Sequence, residues 1–284
     1  MSTSKISPPS EQQPVKRVRV LTATDLHQLK WVYQALERAV SEHKPDILAL
    51  VGDFLHGGTL SSRHYSASAC ADRLLALPCE VVFARGNHEA DNWNSLARRW
   101  LKADRPLHIP HGSAVALGPL VLVGFPCTYG HEESFLMGRP DVPYETETWL
   151  PAIFEQYGPA ARALWLLHEP PSETKLCEPE GLMAGVEEWR AAIERYQPWL
   201  TVSGHDHETP IFDGFWHDRI DRTTSINVGQ PTRLTEATKT LHYCVIDFEF
   251  PGNEPVLPKR ATVTGYPWNG TITLPEKSKD GGRS

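Results

Sequence analysis

The chain has no run of about 18 apolar residues, so no segment reads as a membrane-crossing helix. Its first residues, MSTSKISPPSEQQP, lack the apolar stretch that a secretory signal needs. There is no C-x-x-C pair among its five cysteines (Cys70, Cys79, Cys127, Cys177 and Cys244). Their odd number and wide spacing argue against a disulfide framework or a structural zinc knuckle. Free thiols in a reducing, cytoplasmic setting are the expectation. Positive charge is also scarce: the net charge is -7, which weakens the case for a partner held mainly through the phosphates of a nucleic acid. The sequence shows no internal repeat and no low-complexity tract.

What is present suits an ordinary globular protein. Of 284 residues, 40% are hydrophobic and 22% charged, enough to bury a sizeable core without disulfides or a second subunit. One domain is expected over residues 16–275. The flanking segments, 1–15 and 276–284, are too polar to repay the entropy of ordering and read as loose tails.

Within the domain, RVRVLTA (17–23), DILALVG (46–52) and EVVFARG (80–86) are short apolar runs of the kind buried on both faces of a parallel sheet. The stretches between them, Leu29 to Ser41 and Ser62 to Leu77, have helical periodicity, which makes the first hundred residues a β-α-β series. Trp93 to Lys102 reads as a further helix. Ser113–Leu117 and Leu120–Phe125 are close enough to form a hairpin. From Thr128 to Ala160 periodicity is weak, and this insert is a candidate to overhang a site. ALWLLH, a helix from Gly185 to Tyr196, and WLTVSG follow. The segments FDGFWH, SINVG, LHYCVIDFEF and ATVTGY are strand-like.

Five segments carry polar residues of metal-binding type where apolar runs end: TDLH at 24–27, GDFLH at 52–56, GNHE at 86–89, LLHE at 166–169 and SGHDH at 203–207. In open α/β sheets the carboxyl ends of the strands border the ligand crevice, so these side chains are expected to converge. Asp-x-His and His-x-His put two ligands on one side of an extended segment, because side-chain direction repeats every second residue. Carboxylate, imidazole and amide oxygen together suit Mn, Fe or Zn better than ions that prefer thiolate. Any one piece is weak, since an Asp is as readily a helix cap and a His a satisfied core residue. Five in strand-end context are not.

This set resembles the calcineurin-like metallophosphoesterase superfamily, whose pattern runs D-x-H, G-D, G-N-H-[DE], H and G-H-x-H in that order. The resemblance spans Val18 to Gly229. It implies that Asp25, His27 and His207 hold one divalent ion, that Asn87, His168 and His205 hold a second, and that Asp53 bridges them. Manganese is the first choice, with Fe, Zn or Mg as others. It also implies a four-layer α/β/β/α sandwich of two mixed β-sheets flanked by helices. Two such cations lower the pKa of a shared water, and the hydroxide so formed attacks phosphorus in line with the leaving group. His88, directly after Asn87, is implied to face the substrate as an acid or charge stabiliser; the plainer alternative is a packing role.

The text after Asp53 narrows the substrate. Protein serine/threonine phosphatases continue G-D-x-V-D-R-G; this chain reads GDFLHGG, without that Asp and Arg. The protein-phosphatase reading loses support, and so does a bis-nucleoside tetraphosphatase reading. His56, three residues after Asp53, resembles the double-strand-break-repair nuclease branch and is a candidate to pair with His88 by an imidazole hydrogen bond. A surface-loop role is its alternative. The leading expectation is hydrolysis of phosphomonoesters or phosphodiesters of small molecules or nucleotides. A DNA exo- or endonuclease is the competing enzyme, disfavoured by the acidic charge and by the absence of a long capping segment after SGHDH. A metal-binding interaction scaffold without catalysis is the competing class, disfavoured because no ligand position is lost. Asn227, in SINVGQ, is expected in a structural turn. Arg63, Arg85 and Arg139 show no spacing that selects one as a phosphate contact, and His131, in the insert PCTYGHEE, is a candidate to reach the site from a lid with a solvated loop role as its alternative.

Overall fold

A computed structural model describes residues 15–56, 58–90, 107–127, 145–158, 163–180, 183–231, 240–252 and 257–275. The first three strands, β1 (Lys16–Thr24), β2 (Ile47–Val51) and β3 (Glu80–Ala84), lie parallel and side by side. β2 reads ILALV and is buried at all five positions. Ile47, Ala49 and Val51 point to one face while Leu48 and Leu50 point to the other, so a continuous apolar run is what a strand covered on both sides requires.

Two helices cover the outer face of this sheet, α1 (Lys30–His43) and α2 (Ala67–Leu75). α1 buries Val32, Tyr33, Leu36, Ala39 and Val40, a stripe at helical spacing. It stops where Lys44 turns left-handed and returns its N–H to the Val40 carbonyl. α2 starts at Ser66, whose hydroxyl accepts the Ala69 N–H at 3.2 Å.

The second sheet takes β4 (Ser113–Leu117), β5 (Leu120–Gly124), β6 (Leu164–Leu166), β7 (Leu200–Ser203), β8 (His217–Ile220) and β9 (Thr223–Asn227) in the order β4-β5-β6-β7-β9-β8. Its outer face is covered by α3 (Leu150–Tyr157) and α4 (Glu187–Tyr196), around Phe125, Trp165 and Trp189. β10 (Tyr243–Phe250), β11 (Arg260–Tyr266) and β12 (Gly270–Leu274) return to the first sheet, giving β12-β11-β10-β1-β2-β3. β10 runs antiparallel to β1, and β4 and β8 are antiparallel to their neighbours, so both sheets are mixed. Val20, Ala49 and Val82 of one sheet meet Leu122, Leu166 and Val202 of the other in a shared core. The fold is the expected α/β/β/α sandwich.

Local differences from the sequence reading have local causes. FDGFWH is not a strand: Thr209–Asp213 forms one wide helical turn, ended by a left-handed Gly214, and β8 begins only at His217. The weakly periodic insert contains α3, whose eight residues are too few to show a helical repeat. β12 is short and half-exposed, with burial on alternate residues, and no strand was expected there. The expected helix from Trp93 to Lys102, Arg139, His131, much of the 128–160 insert, and the tails apart from Val15 lie outside the described residues.

Candidate metal centre

Because β1, β2 and β3 are adjacent and parallel, their carboxyl ends deliver Asp25, Asp53 and Asn87 to one edge of the first sheet. β6 and β7, also adjacent and parallel, deliver His168 and His205 to the facing edge of the second. The loops interlock through the main chain: Asp25 N–H donates to Gly52 O at 3.1 Å, His27 N–H to Asp53 O at 2.8 Å, and Gly204 N–H to His168 O at 2.9 Å. Asp25, His27, Asp53 and His205 all have positive φ, from 45° to 63°, an unfavourable backbone region that clusters where geometry matters for function.

The side chains fall into two groups that share Asp53. On one side, His207 Nε2 lies 3.1 Å from Asp25 Oδ1 and 3.5 Å from His27 Nε2, and His27 Nε2 lies 3.8 Å from Asp53 Oδ2. On the other, His168 Nε2 lies 3.4 Å from Asp53 Oδ1 and 2.8 Å from Asn87 Oδ1, with the His205 ring 5.0 Å away, edge to face. Each oxygen of Asp53 therefore faces a different set of imidazoles. Donor atoms of Asp25, His27 and His207 lie within 4.8 Å of one another, and so do those of Asp53, His168 and His205.

His88 is close to both groups. Its Nε2 stands 3.5 Å from Asp53 Oδ2 and its ring lies 5.0 Å from that of His27. Its side chain is 33% exposed, against 3% for Asp53, so it is the histidine of this cluster most open to solvent.

Electrostatics follow from burial. Burial, and then the neighbouring His207, hold His27 well below the usual imidazole range, and burial followed by His205 takes His168 down to about 4. Both rings are therefore neutral at pH 7 and able to donate lone pairs. Burial also works against ionising Asp25, but His207, whose Nε2 lies 3.1 Å from Oδ1 and hydrogen-bonds to it, keeps that carboxyl below the usual range. Asp53 is pushed well above it by burial, then by the carboxylates of Glu89 and Asp25. A buried carboxyl between neutral nitrogens lacks the positive charge that would make its ionised form favourable, and a divalent cation supplies it. The donors are nitrogen and oxygen only, so the set fits Mn, Fe, Zn or Mg.

The glycines before the motif residues have steric reasons. A Cβ on Gly52 would run into the His168 imidazole, one on Gly86 into the Asp53 carboxylate, and one on Gly204 into the Asp25 carboxylate. The side chains of the site thus pack directly on main chain.

His56 is placed differently from expectation. Its ring lies over His64, with centroids 4.2 Å apart, and meets His27 edge to face at 6.3 Å; the expected hydrogen bond to His88 is not made. The Gln28 side chain ties the two segments together there: its Oε1 accepts the His56 N–H at 2.9 Å, and its Nε2 donates to Tyr65 O at 2.9 Å.

Residues without an assigned role in the sequence reading complete the frame. Glu89, the last letter of GNHE, is fully buried and accepts three main-chain N–H bonds, from Gly86 at 2.5 Å, Leu55 at 3.0 Å and Asp53 at 3.1 Å. Burial nonetheless pushes its carboxyl up to about 7. Asp206 closes the turn after SGHDH by accepting from Glu208 N, Thr209 N and the Thr209 hydroxyl. Each sits inside a recognised motif, which was the available signal. Asn227 donates to Leu176 O and Asp206 O and accepts from Gly229 N, in keeping with a structural turn.

The fold and the motif order agree with comparisons to other proteins. A dimetal phosphatase from Danio rerio has a similar structure, with a TM-score of 0.59 at 14% identity over 90% of this chain and 98% of that one. The protein TT1561 of Thermus thermophilus scores 0.58 at 14% identity, over 91% and 98%. At such identities the likeness is one of fold. No curated protein sequence matches the chain. The family model described as calcineurin-like phosphoesterase matches residues 18–209, which takes in all five motifs up to SGHDH. The chain belongs to the calcineurin-like phosphoesterase family.

Proposed function

We propose that the protein is a two-metal phosphoesterase acting on phosphomonoesters or phosphodiesters of small molecules or nucleotides. The observation that carries this reading is the position of Asp53, whose two oxygens face two separate imidazole sets. On this reading Asp25, His27 and His207 hold one divalent ion, Asn87, His168 and His205 hold another, and Asp53 bridges them, with manganese as the first choice. The bound ions supply an activated water and neutralise charge that grows on the phosphoryl oxygens.

The chain's own residues do the rest. Asp53 is held at its main chain by Glu89, so the bridging carboxylate is fixed before substrate arrives. The neutral rings of His27 and His168 donate lone pairs without first losing a proton. His88, open to solvent beside Asp53, donates a proton or hydrogen bond to the leaving oxygen. A reducing, cytoplasmic setting is part of this reading, with Cys70, Cys79, Cys177 and Cys244 buried. No helix of the described residues is long and apolar enough to cross a membrane.

The test sets p-nitrophenyl phosphate, its bis ester, cyclic nucleotides and single-stranded DNA side by side, with Mn²⁺ and with chelator. Manganese-dependent turnover of the small esters, with little on DNA, is expected. Turnover confined to DNA would replace this reading with the nuclease, and metal binding without any turnover would replace it with the scaffold.

A further inference from the structure

His64 belongs to none of the five motifs, yet the fold brings it to the rim of the metal centre. The loop after β2 returns and pairs with the segment that directly follows His27. Lys30 N–H donates to Arg63 O at 3.0 Å, Tyr65 N–H donates to Gln28 O at 2.8 Å, and Leu29 and His64 form an isolated antiparallel bridge. This lays the His64 ring over that of His56, with centroids 4.2 Å apart and planes inclined by 31°. The His56 ring in turn meets His27 at 6.3 Å. Three rings thus lead outward from the cluster, and the outer two are half-buried.

The outer ring is held in one orientation. The Ser61 N–H donates to His64 Nδ1 at 3.0 Å, so Nδ1 is the unprotonated nitrogen. Burial, then the neighbouring His56, lowers the pKa of His64, so the ring is neutral at pH 7. A neutral ring is a poor clamp for phosphate but a good face for a planar group. On the same loop Leu60 is 46% exposed, one of the few large apolar side chains that the described residues leave open.

We infer that His56 and His64, with the exposed Leu60 on the same loop, form a stacking wall that selects phosphoesters with a planar aromatic leaving group. His64 is then a specificity-determining residue for the reaction proposed above, and the inference rests on that reading. Gln28, which holds both His56 N and Tyr65 O, is the positioning residue that keeps the wall assembled.

The test uses the full-length manganese-loaded protein, with phenylphosphonate and methylphosphonate as competitive inhibitors of p-nitrophenyl phosphate hydrolysis. The wild type should bind the phenyl compound more tightly. In His64→Ala the ratio of the two inhibition constants should fall by about three- to tenfold, the range of one aromatic contact, and His64→Phe should restore it. Leu60→Ser, at an exposed position where the fold is not at risk, should lower the ratio by about twofold. A ratio unchanged in both His64→Ala and Leu60→Ser overturns the wall while leaving the phosphoesterase reading intact. A wild type that hydrolyses no ester overturns that reading, and the wall with it.

Discussion

The main-chain N–H of His88 donates to Asp53 Oδ1 at 3.0 Å, while the ring Nε2 of the same residue stands 3.5 Å from Asp53 Oδ2. One residue therefore holds one oxygen of the proposed bridging carboxylate by its backbone and presents a titratable ring beside the other. A side-chain truncation at position 88 leaves the backbone contact in place, which separates the two roles.

His88→Ala should lower kcat/KM by about 10²- to 10⁴-fold on esters with poor, alkoxide-type leaving groups, and less on p-nitrophenyl phosphate, whose leaving group needs little protonation. Metal content should stay at the wild-type level. Equal losses on both substrates would remove the acid role, and loss of bound metal would make His88 a ligand.

Asp53→Asn should abolish activity and reduce bound metal, because the carboxylate that faces both imidazole sets is gone. The metal-free variant should be more stable than the metal-free wild type by about 1–2 kcal/mol, since burial opposes ionising this carboxyl. Denaturation in chelator, paired with metal analysis, checks both halves. A less stable apo variant would mean that Asp53 is held by interactions other than the cation.

Gly52→Ala should cost about 2–4 kcal/mol, because φ is +73° there and the new methyl group collides with the His168 ring. Gly214→Ala is the control: φ is +74° with ψ near 8°, the left-handed region, and nothing lies within 4 Å, so only the backbone strain of about 1 kcal/mol remains. Similar urea midpoints for the two variants would show that the His168 contact does not matter.

In the metal-free protein the stability that His242 and His168 contribute by staying neutral should be lost as pH falls from about 6.5 towards 4, while the raised carboxyls of Glu89 and Asp53, which take up protons in the folded chain, act in the opposite direction. His242, lowered to about 4 chiefly by burial, and His168, lowered as far, stay neutral in the folded chain over this range. The unfolded chain takes up those protons near 6.5, so lowering the pH favours it. Each group contributes on the order of 2–3 kcal/mol across the window. His242→Gln should gain stability relative to the wild type progressively between about pH 6.5 and pH 4, measured by urea denaturation in chelator. A slope equal to the wild type's would exclude His242 as a source.

The frame of the site was legible in the chain. Apolar runs of five or so residues, alternating with helical stretches and ending in Asp, Asn or His, read together as buried strands that deliver polar groups at their ends, and the order of the motifs pointed to the family. Elements with weak local signals were less legible. α3 is only eight residues long, β12 is half-exposed, and the Thr209–Asp213 turn takes in the first residues of FDGFWH ahead of β8.

What the sequence determined by itself was which residue types stand at the ends of which strands, because periodicity and strand length are local properties. Only the tertiary structure decided how they are shared. Two sheets had to face each other for the Asp53 oxygens to divide between His27 on one side and His168 on the other. A return of the chain had to set His64, rather than His88, against His56. Such relationships depend on loop closure between residues far apart in the chain, and no local pattern encodes them.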